Sequence, residues 1–116
     1  MIHIAIIDQN KIYRESLKML LEQIDGFKVV LDSPDGNYIT SSFNIPAQIM
    51  IIDGSMGKEK CRGLIKHAGI EGRSVKILIL AMFREELEND YGQAEVILKS
   101  SGKREFEERI KKMLAV

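Results

Sequence analysis

One thiol, Cys61, stands among 116 residues. That excludes an internal disulfide and a multi-cysteine zinc site, and it fits a reducing compartment. An excess of charge is missing too: 17 Lys and Arg face 17 Asp and Glu. No net field therefore draws the chain to nucleic acid or to an anionic membrane. No apolar run approaches the ~18 residues of a membrane span. The N-terminus has no basic stretch leading into a signal core. Internal repeats, linkers and low-complexity segments are absent as well. A soluble, cytoplasmic domain with one core is expected, with no membrane partner.

Two chemical arrangements are also lacking. His3 opens an apolar run and His67 falls on the polar side of a helical pattern, so neither completes a Ser-His or Cys-His pair. An enzyme of that kind is not expected. After the first apolar run, Asp8-Gln9-Asn10-Lys11 offers no glycines for close approach to a dinucleotide.

The apolar runs themselves are short and regularly spaced. Gln48-Ile49-Met50-Ile51-Ile52-Asp53 reads as a strand buried on both faces, stopped by Gly54-Ser55-Met56-Gly57. Ile4 to Asp8, Phe27 to Leu31, Val75 to Leu80 and Glu95 to Leu98 predict four more strands. Asn10 can cap a helix over 11–24, with Tyr13, Leu17, Leu20, Leu21 and Ile24 on one face and Gly26 beyond its end. Residues 37–44 give at most a short helix. Cys61, Leu64, Ile65 and Ala68 share one helical face, which makes Cys61 a half-buried packing residue rather than a nucleophile. A short acidic helix is predicted from Glu85 to about Tyr91. The last helix begins near Lys103, with Phe106, Ile110, Met113 and Leu114 inward. Its outer pairs Glu105–Arg109, Glu107–Lys111 and Glu108–Lys112 have favourable spacing, each worth ~0.2–0.5 kcal/mol.

Five strands alternating with five helical stretches imply an α/β fold with a parallel, doubly wound sheet. In such sheets the reacting groups gather beyond the carboxyl ends of the strands. Asp8, Asp53, Ala81 and Lys99 each follow a different strand and meet at that edge. Two carboxylates and an ammonium suit phosphoryl chemistry: a carboxylate can attack phosphorus, and the ammonium can hold the transferred oxygens.

With these residues in view, the chain resembles the receiver domain of bacterial two-component response regulators over essentially its whole length, residues 1–116. The likeness is to receivers that precede a helix-turn-helix output domain. It is carried by Ile6-Ile7-Asp8, Arg14-Glu15-Ser16-Leu17 with Leu20-Leu21, Asp35-Gly36, Ile51-Ile52-Asp53-Gly54-Ser55-Met56, Ile77-Leu78-Ile79-Leu80-Ala81-Met82 and Ile97-Leu98-Lys99. The resemblance implies a flavodoxin-like, three-layer fold with strand order 2-1-3-4-5 and about five helices. It implies Asp53 as phospho-acceptor, Lys99 as the phosphate-binding lysine, and a magnesium site formed by Asp8, Asp53 and the Ser55 backbone carbonyl.

The chain also departs from the family pattern. Gln9 stands where a second acid usually contacts magnesium, and an uncharged ligand should hold the ion weakly. Ala81 replaces the Ser or Thr whose hydroxyl meets the phosphoryl oxygen. Val96 replaces an aromatic that turns inward on activation, and valine is stiff and small. Gly57 replaces a proline, and the span from Ala81 to Lys99 is about four residues short, roughly one helical turn. The expectation is a degenerate receiver, acting mainly as a phosphorylation-independent interaction module. Its partners would be a sensor histidine kinase or another signalling protein, an output DNA-binding domain, or a second copy. The last two would use the face of the fourth helix, fifth strand and fifth helix. No direct contact with nucleic acid is expected of this domain. Two alternatives are a conventional phospho-accepting receiver with weak metal dependence, and a flavodoxin-like domain for a nucleotide or small ligand.

Overall fold

The structure, a computed structural model, describes residues 1–37, 47–68 and 75–115. Five strands form one parallel sheet: β1 (Ile2–Ile7), β2 (Phe27–Ser33), β3 (Ile49–Asp53), β4 (Lys76–Ala81) and β5 (Glu95–Leu98). Their order is β2-β1-β3-β4-β5, as the resemblance implied. Three α-helices lie among the described residues: α1 (Lys11–Glu22), α2 (Lys58–Ala68) and α3 (Lys103–Met113). Two 3₁₀ turns accompany them, Gly54–Met56 and Arg84–Glu88.

The buried stretches of the central strands, Ile4–Ile7, Ile49–Ile52 and Ile77–Ala81, are apolar because both faces of the sheet are covered. All five residues of β3 are buried, and Ile4 to Ile7 of β1 have no exposure. Side chains alternate between two cores. Ile4, Ile6, Ile49, Ile51, Leu78 and Leu80 meet Leu17 and Leu21 of α1 and Phe106 and Ile110 of α3. Ala5, Ile7, Met50, Ile52, Ile77 and Ile79 meet Cys61, Leu64 and Ala68 of α2. The register sets Ile7 beside both Ser33 and Ile52, Asp53 beside Leu80, and Ala81 beside Leu98. The strand ends are thereby aligned along one edge.

Two expectations need correction. Among the described residues there are three α-helices where about five were expected, and the segment expected as a helix from Glu85 to Tyr91 forms only the 3₁₀ turn Arg84–Glu88. Leu87 is the one apolar side chain within that turn, so no amphipathic face exists to bury. Instead the Glu86 carboxylate accepts from the Met82 and Phe83 amides at 3.1 and 2.7 Å, closing the turn. The weak helix expected over 37–44 lies, beyond Asn37, outside the described residues. The outer pairs of α3 also differ. Glu107–Lys111 forms at 2.7 Å, but Glu108 pairs with Arg104 at 3.0 Å and Glu105 accepts from Gly102 N. Arg109 turns to the sheet edge, 3.5 Å from Glu95 and donating to Val96 O at 3.0 Å. Cys61, expected to be half-buried, has no exposure.

Candidate functional site at the carboxyl edge of the sheet

Asp8 sits one residue past β1, and its amide still extends the sheet by donating to Ser33 O at 3.0 Å. Its side chain has no exposure. Oδ1 accepts from the Asn10 amide at 2.7 Å, a tight turn that delivers the chain to α1. Asn10 then caps that helix, accepting from Tyr13 N at 3.0 Å. Arg14 Nη1 donates to Asp8 O at 2.7 Å and ties the first helical turn to the same corner.

Asp53 is the last residue of β3 and caps the turn that follows. Its Oδ1 accepts from the Ser55 amide at 3.0 Å and the Ser55 hydroxyl at 2.8 Å. Gly54 is required here: a Cβ would stand 2.7 Å from Leu80 O. Behind the site, the Cys61 thiol donates to Asp53 O at 3.6 Å. Burial, with the Asp53 charge adding to it, pushes that thiol up to about 11, so it stays protonated.

Lys99 follows β5, held by its amide on Ala81 O at 2.8 Å. Its ammonium lies 2.9 Å from Asp8 Oδ2 and 3.2 Å from Asp53 Oδ1, with the side chain 9% exposed. The contact to Asp8 is an ion pair rather than an aligned hydrogen bond, for Asp8 Oδ2 has no hydrogen-bond partner. Burial alone would raise the Asp53 carboxyl. The Ser55 hydroxyl and amide and the Lys99 ammonium outweigh it, so Asp53 titrates below the ordinary carboxylate value and is an anion at neutral pH.

Asp8, Asp53 and Lys99 are thus brought together. Ser55 contributes its hydroxyl and amide to Asp53, where the sequence suggested only its carbonyl. Gln9 is exposed. Ala81 is 2% exposed and lies on the same edge without a hydroxyl; Val96 is half-buried against the α2-side core. Tyr13 was legible only as a packing residue, yet it completes the site. Its ring centroid is 4.8 Å from the Lys99 ammonium, and its hydroxyl donates to Lys99 O at 3.0 Å. Burial, then the charges of Asp8 and Asp53, raise the phenol so that it remains a donor.

For a hard divalent cation the donor set is thin. Asp8 Oδ2 is a buried, unbonded oxygen suited to a metal, and Asp53 supplies a second carboxylate. Among the described residues, however, no three acidic, His or Cys side chains group as metal ligands. The Lys99 ammonium already stands beside both acids. The residues fit a magnesium ion held weakly at most.

The fold has clear counterparts among solved structures. The isolated REC domain of RcsB from Salmonella enterica serovar Typhimurium in the apo form matches with a TM-score of 0.81 at 21% identity, covering 99% of this chain and 89% of that one. A response regulator from Thermotoga maritima gives 0.77 at 22% identity, covering 100% and 99%. A LuxR-family DNA-binding response regulator from Staphylococcus aureus gives 0.71 at 17%, covering 97% and 98%. No family model matches the chain, and no curated protein matches it either. At these identities the likeness establishes the fold: this chain has the receiver fold of response regulators.

Proposed function

We propose that the chain is a degenerate receiver domain of two-component signalling, with Asp53 at the phospho-acceptor position. The observation that carries this reading is the Lys99 ammonium set between Asp8 and Asp53, 2.9 and 3.2 Å away, at the carboxyl edge of a receiver fold. The Ser55 groups and Lys99 all engage Asp53 Oδ1, which leaves Oδ2 as the nucleophile toward a phosphoryl donor. Attack by Oδ2 would form a new P–O bond while the donor's bond to phosphorus breaks, and the leaving group keeps that electron pair. Lys99 would then face the phosphoryl oxygens. Magnesium, where bound, would be held by Asp8, Asp53, the Ser55 carbonyl and Gln9, and would neutralise charge on those oxygens.

The switch that would report a phosphate is weakened at three places. Gln9 is neutral, Ala81 has no donor for a phosphoryl oxygen, and Val96 has no ring to reorient. A ligand with no differential contact with two states cannot shift their balance. The output face is therefore constitutive: the turn Arg84–Glu88, β5 and α3, which correspond to the fourth helix, fifth strand and fifth helix of the sequence reading. Met82, Phe83 and Leu87 are exposed there and offer a partner protein an apolar anchor. A sensor kinase, another signalling protein or an output DNA-binding domain fits this role, and the domain is a signalling module rather than an enzyme.

The acceptor assignment is tested with acetyl phosphate and magnesium, read by intact-protein mass. Slow gain of one phosphoryl group, absent in Asp53→Ala, is expected. Phosphorylation at another residue, or none even at high donor and magnesium, would contradict Asp53 as acceptor.

A further inference from the structure

Two apolar patches on the described surface differ in their charge pattern. The first, Met82, Phe83 and Leu87, belongs to a segment with Glu85, Glu86, Glu88 and Asp90 against Arg84 alone. Two copies meeting there would set acid against acid. The second lies on α1, where Ile12 is 78% exposed and Met19 69%. The inward face of α1 is occupied by Leu17 and Leu21, with Tyr13 and Leu20 partly buried beside them. Ile12, Ser16, Met19 and Gln23 follow one another at steps of four, three and four residues on an adjoining, outward face, and all are exposed. That spacing makes one continuous stripe, the seam of a paired helix. The stripe adds nothing to the fold of this chain.

Charge selects the occupant. Beside the stripe run Lys11, Glu15, Lys18 and Glu22, alternating in sign at the same steps. In a parallel pairing of two α1 helices the two rows fall on opposite sides of the seam and do not meet. An antiparallel pairing brings Lys11 to Glu22 and Glu15 to Lys18 of the other copy, and the two-fold repeats both contacts. The small Ser16 lets the helices approach near the centre. Existing partners do not forbid this. Lys11 and Glu15 are 3.9 Å apart and 75% and 63% exposed; Lys18 is 3.5 Å from Asp32; Glu22 accepts one long bond, 3.3 Å, from Val29 N. Such surface pairs exchange readily.

We infer that α1 is a self-complementary interface, through which two copies of this chain join in an antiparallel, two-fold dimer. The contact is independent of Asp53 and of the phosphorelay reading. About 18 Å of helix buries less than a standard stable interface, so the dimer is weak, concentration-dependent and sensitive to salt.

Sedimentation equilibrium from about 10 μM to about 1 mM, where weak association becomes visible, tests it. The mass of the unmodified chain should rise toward that of two copies, less so at high salt. Ile12→Glu with Met19→Glu should remain monomeric across the range. Lys11→Glu should weaken association about tenfold, by turning attraction into repulsion on both sides of the two-fold. Adding Glu22→Lys to the same chain should restore it, because each position again meets its opposite. Circular dichroism verifies that each variant is folded. Phe83→Glu and Asp53→Ala should leave the dimer unchanged. A monomer throughout, a dimer that survives the α1 stripe substitutions or is lost with Phe83→Glu, or a charge swap that fails to restore, would overturn the inference.

Discussion

The Lys99 ammonium has two carboxylates within about 3 Å and little water, and this placement makes the three residues interdependent. Removing one partner of a buried ion pair leaves charge without compensation, typically at a cost of about 3–5 kcal/mol. Lys99→Met should therefore lose about 3 kcal/mol of stability at neutral pH, read by urea unfolding. The pH dependence has a definite sign. Asp53 is held below its ordinary value, so its contribution is present above the unfolded carboxylate range and is lost as the pH falls through the folded value. The gap between Lys99→Met and the unmodified chain should accordingly narrow in acid; a gap that is constant from neutral to strongly acidic pH would contradict the pairing. Gln9 belongs to the same corner. Restoring a charge with Gln9→Asp should tighten magnesium at least tenfold by calorimetry, whereas tight binding that is indifferent to this change would show that the metal site lies elsewhere.

Among the elements, the turn Arg84–Glu88 depends on one carboxylate. Glu86→Ala should cost about 1 kcal/mol, the usual loss for a cap, and should speed hydrogen exchange at the Met82 and Phe83 amides. Unchanged exchange there would mean that the turn is held by other contacts. This turn also marks where the sequence was hard to read. The strands were legible because runs such as Ile49 to Ile52 are apolar on both faces, and the acids and lysine that follow them were legible by position. A segment with so few apolar side chains carries no periodic signal to separate a short α-helix, the expectation over Glu85 to Tyr91, from the 3₁₀ turn Arg84–Glu88 that forms. Arg109 was assigned by helical spacing to Glu105, yet the free carbonyl of the edge strand at Val96 competes for it. Tyr13 shows the other limit. Its partner Lys99 lies 86 positions away in sequence, and only the fold brings the ring over the ammonium.

For the whole molecule, the proposed reading is that the site at Asp53 and the output face share a sheet without the parts that would couple them. Ala81 joins the two through its carbonyl, which accepts from the Lys99 amide, and its side chain offers no hydroxyl to a phosphoryl oxygen. Coupling requires an element with two arrangements that the site can bias. The most direct test is an amide chemical-shift map of the ¹⁵N-labelled chain, alone and with beryllofluoride and magnesium at saturating concentration. Shifts are expected around Asp8, Asp53, Ser55 and Lys99, with the turn Arg84–Glu88, Val96 and the outer face of α3 unmoved. Large shifts across that face, abolished in Asp53→Ala, would show an intact switch and contradict a constitutive receiver.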